Sequence, residues 1–173
     1  QLKEGVPLTA QSNAQRVTIT GGAGFIGSNL AHRQLNQGHH PTIFDNLSRS
    51  GGGQNLDWLR AEHGANAFQL VQGDLVDFDA VRRACEGAQR IYHLAGQVAV
   101  TTSVINPRQD FESNAIGTFN VLEAARLVGD APVMLYASTN KVYGGMEHTQ
   151  VVEGETRYCY ADFPYGIPET QLL

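Results

Sequence analysis

The sequence contains few cysteines, little positive charge and no long apolar run. Cys85 and Cys159 are the only two cysteines, and their spacing fits neither a disulfide framework nor a metal-binding motif. The formal net charge of −5 gives no electrostatic reason to expect binding to nucleic acid or to an anionic membrane. No apolar stretch approaches the roughly 20 residues needed to span a bilayer. These features predict a reduced, cytoplasmic protein that binds neither nucleic acid nor membrane.

Glycine, in contrast, is abundant, with 19 glycines among 173 residues, which indicates a fold with several tight turns. The apolar content of 42% and the charged content of 17% are typical of a globular protein, and the length fits one compact domain. The first 15 residues, QLKEGVPLTAQSNAQ, are polar and lack the apolar core of a signal peptide. We therefore predict a polar leader over residues 1–15 and one domain over residues 16–173.

Short β-branched runs alternate with helical patterns after the leader, an order that predicts an α/β fold with a doubly wound parallel sheet. The predicted strands are RVTIT (16–20), PTIFD (41–45), AFQLVQGD (67–74), RIYHLAG (90–96) and VMLYAS (133–138). The predicted helices cover residues 25–36, 56–64, 78–86 and 109–127, and SRSGGGQN (48–55) is predicted to be a flexible loop. Open sheets of this kind bind ligands at the carboxyl ends of their strands, where the strand order reverses.

The segment TGGAGFIG follows the first predicted strand and opens the first predicted helix. Gly21 permits the sharp turn out of the strand, Gly24 lets the backbone approach a pyrophosphate, and Gly27 allows the helix to pack against the sheet. The backbone N–H groups at the helix start, near Phe25 and Ile26, then face the phosphates with the favourable sign of the helix dipole. The strand, turn and helix together predict a dinucleotide-binding site.

Asp45 ends the second predicted strand about 20 residues further on, the position expected of an acid that binds a ribose. Its carboxylate favours NAD, because a carboxylate would repel the 2′-phosphate of NADP. Arg49 follows closely in the sequence and keeps NADP as an alternative.

Polar and small residues follow the third and fourth predicted strands. Asp74 either accepts a hydrogen bond from an adenine amino group or caps the next helix, although Asp77 is the better cap. Further on, HLAGQ places small residues (Leu94, Ala95 and Gly96) beneath a cofactor, with Gln97 reaching outward.

Two further polar residues have interpretations that do not require a ligand. His93 lies within an apolar strand, which favours a buried, hydrogen-bonded core histidine over a catalytic base. Asn114, early in the long helix, either is an exposed polar residue or ties the helix to the fourth strand, and we favour the tie. The remaining histidines considered lie in loop-like contexts without ligand spacing, so no metal site is predicted; they are His39, His40, His63 and His148.

Together these segments resemble the extended short-chain dehydrogenase/reductase family, which contains NAD-dependent sugar-nucleotide epimerases and dehydratases. The resemblance is carried by TGGAGFIG, DNLSRSG, GDL, HLAGQVAVTTSVINP, NAIGTFNVLEAAR and YASTNKVYG, in that order. It implies a Rossmann fold, NAD as cofactor, a nucleotide-sugar substrate and possible homo-oligomers. With the residues argued above, the cofactor-binding set is Gly21, Gly24, Phe25, Ile26, Gly27, Asp45, Asn46, Ser48, Asp74, Leu75, Leu94, Ala95, Gly96, Gln97, Asn114 and Ser138. The resemblance also implies that Thr139 is a catalytic hydroxyl and that Ser138 lies beside the nicotinamide.

Within the family, HLAGQVAVTTSV, STNKVYG and ETRYCYADFPYGIPETQLL most resemble the enzymes that invert C2 of a CDP-linked dideoxyhexose. The resemblance therefore favours a CDP-sugar, which is oxidised by hydride transfer to NAD and then reduced on its other face. Family dehydratases usually carry an Asp-Glu pair where this chain has Asn140 and Lys141, so the sequence argues against a 4,6-dehydratase and less strongly against a 4-epimerase.

In this family a tyrosine base and a lysine occur as Tyr-x-x-x-Lys on one helix, and no tyrosine of this chain has a lysine four residues later. The resemblance also implies a smaller C-terminal substrate domain, which we expect the chain to lack. We therefore interpret the chain as the N-terminal part of a sugar-nucleotide epimerase that is inactive alone. The alternatives are a stand-alone nucleotide-binding module, part of a UDP-sugar 4-epimerase, or an interaction protein that uses an exposed sheet edge.

Overall fold

The computed structural model describes residues 14–129, 131–139 and 142–171. Residues 1–13, most of the predicted leader, lie outside this part of the chain, as do Asn140 and Lys141. Two compact units are present, residues 1–137 and residues 138–173, and each is described separately.

The first unit contains a five-stranded parallel sheet with the strand order β3-β2-β1-β4-β5. This confirms the predicted doubly wound α/β fold. Its strands are β1 (Arg16–Thr20), β2 (His40–Asp45), β3 (Gln69–Gln72), β4 (Arg90–His93) and β5 (Val133–Tyr136). Its helices are α1 (Phe25–Asn36), α2 (Gly52–His63), α3 (Phe78–Cys85), α4 (Val100–Ile105), α5 (Pro107–Phe111) and α6 (Gly117–Leu127), with a π-helical segment (Glu112–Ile116) between α5 and α6.

Two hydrophobic layers cover the sheet. Ile19 and Ile43 pack with Leu56 and Leu59 of α2 and with Ala31 of α1 in one layer. The other layer joins strand residues to α3 and α6; its members include Phe44, Val81, Ile91, Val121 and Ala124. The helices that connect β1, β2 and β3 thus cover one face of the sheet. Helix α3, between β3 and β4, and helix α6, between β4 and β5, cover the other face. The strand order reverses between β1 and β4, which is where such a sheet opens a crevice for a ligand.

The second helix differs from the prediction, because α2 begins at Gly52 rather than at residue 56. The interpretation of residues 48–55 as a flexible loop is therefore wrong for residues 52–55. Gly51 is the N-cap residue of this helix, and its φ of 94° marks the end of the loop. Gly52 lies close to the glycine turn, since an added Cβ there would be 3.5 Å from the Cβ of Ala23. Asn55 donates a side-chain hydrogen bond to the Ala23 carbonyl at 2.7 Å. This hydrogen bond anchors the glycine-rich segment, although its composition is typical of a loop.

Several other boundaries differ from the prediction. The long helix begins at Pro107 rather than at residue 109 and contains the π-helical segment. Helix α4 was not predicted, and none of its residues is buried, so it has no buried apolar stripe to create a periodic signal. His40 begins β2 and His63 ends α2, so the loop-like contexts predicted for these two histidines are wrong.

The second unit contains an antiparallel pair of short strands, β6 (Val151–Glu153) and β7 (Tyr158–Tyr160), in which Val152 pairs with Cys159. This pair was not predicted, because three-residue strands are too short to show an alternating pattern.

No helix in the described ranges is long and apolar enough to cross a membrane.

Candidate functional site

A cavity of about 660 Å³ opens at the carboxyl ends of the strands in the first unit. Most of the predicted cofactor-binding residues line it: Gly21, Gly24, Phe25, Ile26, Gly27, Asp45, Asn46, Ser48, Asp74, Leu75, Leu94, Ala95, Gly96 and Gln97. Arg49 also lines it, together with residues that the sequence did not single out, among them Phe44, Asn55, Thr102, Gln109, Ser113 and Ala137. The fold therefore gathers residues from six separate segments of the chain around one cavity.

At two positions of the glycine turn, backbone conformation or close packing within the protein requires glycine. Gly21 has φ of 69°, and an added Cβ would lie 2.8 Å from the Ala95 backbone nitrogen. An added Cβ on Gly27 would overlap the Gly21 carbonyl oxygen and lie 2.6 Å from the Cα of Gly22. These contacts confirm the predicted sharp turn at Gly21. At Gly27 the close contacts are with the backbone of the glycine turn, at Gly21 and Gly22, rather than with the strands of the sheet.

Gly24 differs from these two glycines, because an added Cβ there would be tight against one backbone atom only. Its backbone is extended, with φ of −70° and ψ of 173°, a conformation open to most residues. An added Cβ would meet only the Gly21 carbonyl oxygen, at 3.2 Å. The backbone conformation does not demand glycine here, and an added Cβ would press on one backbone oxygen only. Gly24 also lines the cavity, so a ligand there can approach its backbone.

The start of α1 presents unpaired backbone donors to the same cavity. Gly24 is the N-cap residue, and no side chain within the described residues caps this helix. The first-turn N–H groups of a helix have no intrahelical acceptor, and the helix dipole makes this end favourable for an anion. Phe25 and Ile26, which line the cavity, are 81% and 68% exposed.

Asp45 connects the end of β2 to the glycine turn. Its Oδ2 accepts a hydrogen bond from the Ala23 backbone N–H at 3.0 Å, and its Oδ1 accepts one from the Leu47 N–H at 2.9 Å. Each carboxylate oxygen has two lone pairs, so both can still accept a hydrogen bond from a hydroxyl in the cavity. The carboxylate is thus held in place before any ligand arrives.

Asp74 and Asn46 form a hydrogen-bonded pair at the rim of the cavity. Asn46 Nδ2 donates to Asp74 Oδ2 at 2.8 Å, and the Val76 N–H donates to Asp74 Oδ1 at 3.2 Å. The cap of α3 is Asp77, whose carboxylate accepts from the Ala80 N–H at 3.1 Å. The interpretation of Asp74 as the helix cap is therefore wrong, and its interpretation as an adenine-binding residue stays a prediction.

His93 is a core residue, as predicted, with 1% of its surface exposed. Its Nδ1 lies 2.6 Å from Thr20 Oγ1 and its Nε2 lies 3.0 Å from Thr118 Oγ1. The Thr118 hydroxyl donates to the Asn114 carbonyl oxygen, so it accepts from His93 Nε2–H. Thr20 then donates to the unprotonated Nδ1 and accepts from the Ala95 N–H at 3.3 Å. The network selects one neutral tautomer of His93 and fixes the backbone of Ala95, which lines the cavity.

This buried histidine predicts a loss of stability in acid. Burial lowers the pKa of His93 from 6.5 to about 4. Between these values the unfolded chain binds a proton that the folded chain excludes, so stability falls as the pH drops from 6.5 towards 4. The expected contribution is about 3 kcal/mol, measured by urea unfolding at pH 7 and pH 4. His93→Gln should remove this part of the pH dependence, and an equal acid loss in both proteins would contradict the prediction.

Asn114 ties the helix to the segment after β4, as predicted. Its Oδ1 accepts from the Gln97 backbone N–H at 2.8 Å, and its Nδ2 donates to Asp110 Oδ1 at 3.0 Å. Asp110 Oδ1 also accepts from Ser103 Oγ at 2.7 Å, which brings α4 into the same network. The side chain of Asn114 thus positions the backbone of Gln97, a residue that lines the cavity.

Ser138 and Thr139 belong to the second compact unit, which is described apart from the cavity. The catalytic role of Thr139 and the nicotinamide contact of Ser138 stay predictions. The Asn140–Lys141 pair, on which the argument against a dehydratase rests, lies outside the described residues.

The described part of the chain contains no cluster of side chains that forms a metal centre. No group of three or more His, Cys, Asp or Glu side chains there could hold a metal ion. Cys85 and Cys159 are free, and burial raises the pKa of the Cys85 thiol to about 12, which keeps it protonated and unreactive.

Comparison with known proteins identifies the family. The family model described as GDP-mannose 4,6 dehydratase matches residues 18–168. The chain belongs to this family of nucleotide-sugar epimerases and dehydratases. The resemblance to the extended short-chain dehydrogenase/reductases is thereby confirmed.

Individual relatives are similar over most of the chain. The CDP-paratose 2-epimerase of Salmonella typhi is 46% identical over 160 residues, which are 91% of this chain and 46% of the relative. The UDP-glucose 4-epimerase of Mycolicibacterium smegmatis is 40% identical over 130 residues, 75% of this chain and 40% of the relative. The chain thus spans less than half the length of the curated relatives that it matches.

A solved relative shares the fold. The UDP-glucose 4-epimerase of Stenotrophomonas maltophila, solved with bound NAD and formylated UDP-arabinopyranose, superposes with a TM-score of 0.67 at 30% identity. The match covers 78% of this chain and 40% of that structure.

Proposed function

We propose that the first unit binds NAD in the cavity at the carboxyl ends of its strands, and that the chain is the NAD-binding part of a nucleotide-sugar epimerase. The observation that carries this proposal is that Gly24 lines the cavity directly before the start of α1, which no side chain among the described residues caps. A pyrophosphate fits there because the backbone approach is unobstructed and the first-turn N–H groups can donate to its oxygens. The solved Stenotrophomonas relative with bound NAD supports the same assignment.

The remaining contacts follow from the positions of the polar side chains. Asp45, already held by two backbone N–H groups, would accept hydrogen bonds from the adenosine ribose hydroxyls. Asp74, oriented by Asn46, would accept one from the adenine amino group. Leu94, Ala95 and Gly96 would form an apolar floor, and Asn114 would hold the adjoining backbone in place.

We propose a CDP-linked sugar as the substrate of the whole protein and epimerisation at C2 as its reaction, as in the CDP-tyvelose 2-epimerase type that the motifs resemble. The 46% identity to the CDP-paratose 2-epimerase of Salmonella typhi supports this choice over a UDP-sugar 4-epimerase. NAD supplies the hydride acceptor and donor that inversion of a carbon requires. Thr139 would contribute a hydroxyl that hydrogen-bonds a sugar hydroxyl, and Ser138 would lie beside the nicotinamide.

The choice of cofactor can be measured directly. We expect isothermal titration calorimetry of the chain to show binding of NAD at least about tenfold tighter than binding of NADP, because the Asp45 carboxylate would repel a 2′-phosphate. NADP is the second candidate, since Arg49 also lines the cavity. Equal or tighter binding of NADP, weakened in Arg49→Ala, would favour that candidate. Failure to bind either dinucleotide would contradict the assignment of the cavity.

We also propose that the chain alone does not epimerise CDP- or UDP-sugars, because no Tyr-x-x-x-Lys pair is present to supply the base. The alternative to an epimerase fragment is a stand-alone nucleotide-binding module, which would use the same cavity. In the same preparation used for calorimetry, incubation with NAD and a CDP-sugar should leave the sugar unchanged. Turnover would show that another residue supplies the base.

A further inference from the structure

A pair of histidines joins the two helices that cover one face of the sheet. His32 of α1 and His63 of α2 approach so closely that His32 Nδ1 lies 2.8 Å from His63 Nε2. The pair lies about two turns, or about 10 Å, along α1 from Phe25 at the helix start. Neither histidine lines the cavity, whereas the hydrogen bond from Asn55 of α2 to the Ala23 carbonyl in the glycine turn is made between two residues that line it. The histidine pair is thus separate from the proposed cofactor site.

The two ring nitrogens converge as the ligands of a chelated metal ion do. Bonds from a metal to imidazole nitrogen are about 2.0–2.1 Å long, which puts two neighbouring nitrogens about 2.9 Å apart at a right angle and about 3.4 Å apart in a tetrahedron. The observed 2.8 Å is therefore close to the square arrangement that Ni²⁺ and Cu²⁺ adopt. A small opening of the pair would also admit Zn²⁺. A separation of 2.8 Å is that of an N–H···N hydrogen bond, in which one of the two nitrogens carries the proton. When that proton moves to the other nitrogen of its ring and the rings turn, both lone pairs can point at one ion.

Neighbouring side chains hold the His32 ring in this orientation. The Trp58 ring stacks on it, with a centroid separation of 5.0 Å and an interplanar angle of 28°. The Asn36 amide lies 3.0 Å from His32 Nε2. A metal-binding histidine commonly donates its other ring N–H to such a partner, and the Asn36 amide can turn its oxygen towards that N–H. The ring therefore needs little rearrangement to become a ligand.

We propose that His32 Nδ1 and His63 Nε2 form a bidentate site for a divalent transition-metal ion, with water completing the coordination. Imidazole nitrogens favour Ni²⁺, Cu²⁺ and Zn²⁺ over Mg²⁺ and Ca²⁺, which prefer oxygen ligands. With two protein ligands the ion is exchangeable, unlike the ion of a closed structural site. Because the ligands come from different helices, the bound ion cross-links α1 to α2 and stabilises the folded chain.

The single tryptophan makes the site measurable. Trp58 is the only tryptophan of the chain, and its ring lies against the His32 ligand. We expect NiCl₂ to quench Trp58 fluorescence saturably, with one ion per chain in calorimetry, in protein purified without a polyhistidine tag. MgCl₂ at the same concentrations should have no effect. His63→Ala should lose the saturable quenching and bind Ni²⁺ at least about tenfold more weakly.

His40→Ala is the matched control, because His40 is an exposed histidine on β2 that is not part of the pair. It should bind Ni²⁺ as the original chain does. If His63→Ala does not fold, His63→Gln replaces it, since glutamine retains hydrogen-bonding atoms but is a poor ligand for Ni²⁺. Undiminished quenching in the His63 variant, equal loss in His40→Ala, or no Ni²⁺ binding by the original chain would each overturn the proposal. None of these outcomes depends on NAD binding.

Discussion

Gly24→Val should leave the chain folded and abolish its binding of NAD. The backbone at Gly24 is extended, with φ of −70°, which valine adopts readily. Its Cβ would meet only the Gly21 carbonyl oxygen, at 3.2 Å, which requires a shift of a few tenths of an ångström. The two methyl groups would then occupy the space at the start of α1 that we assign to the pyrophosphate. Calorimetry with NAD should show no measurable heat of binding.

Gly24→Ala provides a graded control, because its single methyl group fills less of that space. It should bind NAD more weakly than the original chain but more tightly than Gly24→Val, while urea unfolding reports that all three proteins fold. NAD affinity unchanged by valine would refute the assignment of the glycine turn to the pyrophosphate. Loss of folding in both variants would show that Gly24 serves the chain's own packing.

Gly27→Ala should have the opposite effect and destabilise the chain itself. An added Cβ would overlap the Gly21 carbonyl oxygen and lie 2.6 Å from the Cα of Gly22, so two backbone segments would have to separate. We expect the free energy of unfolding to fall by about 3 kcal/mol or more, at the upper end of the cost of overpacking. Urea unfolding at pH 7 measures this change.

Gly53→Ala is the control for this substitution. Gly53 lies in α2, and an added Cβ there would meet no atom within 4 Å. Since alanine favours helix more than glycine does, this variant should be as stable as the original chain or more stable by up to about 1 kcal/mol. Similar stabilities of the two alanine variants would contradict the close packing at Gly27.

The regular elements with strong local patterns were predictable. Strand β1 and helix α1 have the predicted bounds, because a β-branched run, a glycine turn and a helical apolar pattern follow one another there. The first turn of α2 was not predictable, since its glycines are typical of a loop. That turn depends on the bond from Asn55 to Ala23, two residues more than thirty positions apart.

The candidate site likewise contains residues that the sequence predicted and residues that it did not. Its glycine turn and Asp45 follow strand ends, so the rule that ligands bind at the carboxyl ends of parallel strands was enough to group them. The rule did not identify Thr102, Gln109 and Ser113, which reach the cavity from α4 and the helical segments after it. The pairing of Asn46 with Asp74 was equally invisible in the sequence, because it joins the segments after two different strands.

The sequence by itself determined the doubly wound sheet and the glycine turn after its first strand, because these follow from local periodicity and from glycine spacing. The family was indicated by the resemblance of several motifs taken together, not by periodicity. Only the tertiary structure decided which glycines the chain's own packing requires. Gly21, Gly24 and Gly27 are the same residue type at equal spacing, and they differ in backbone conformation and in the atoms that surround each one. The tertiary structure alone also brought His32 to His63, because the contact depends on how two helices pack rather than on any pattern within either.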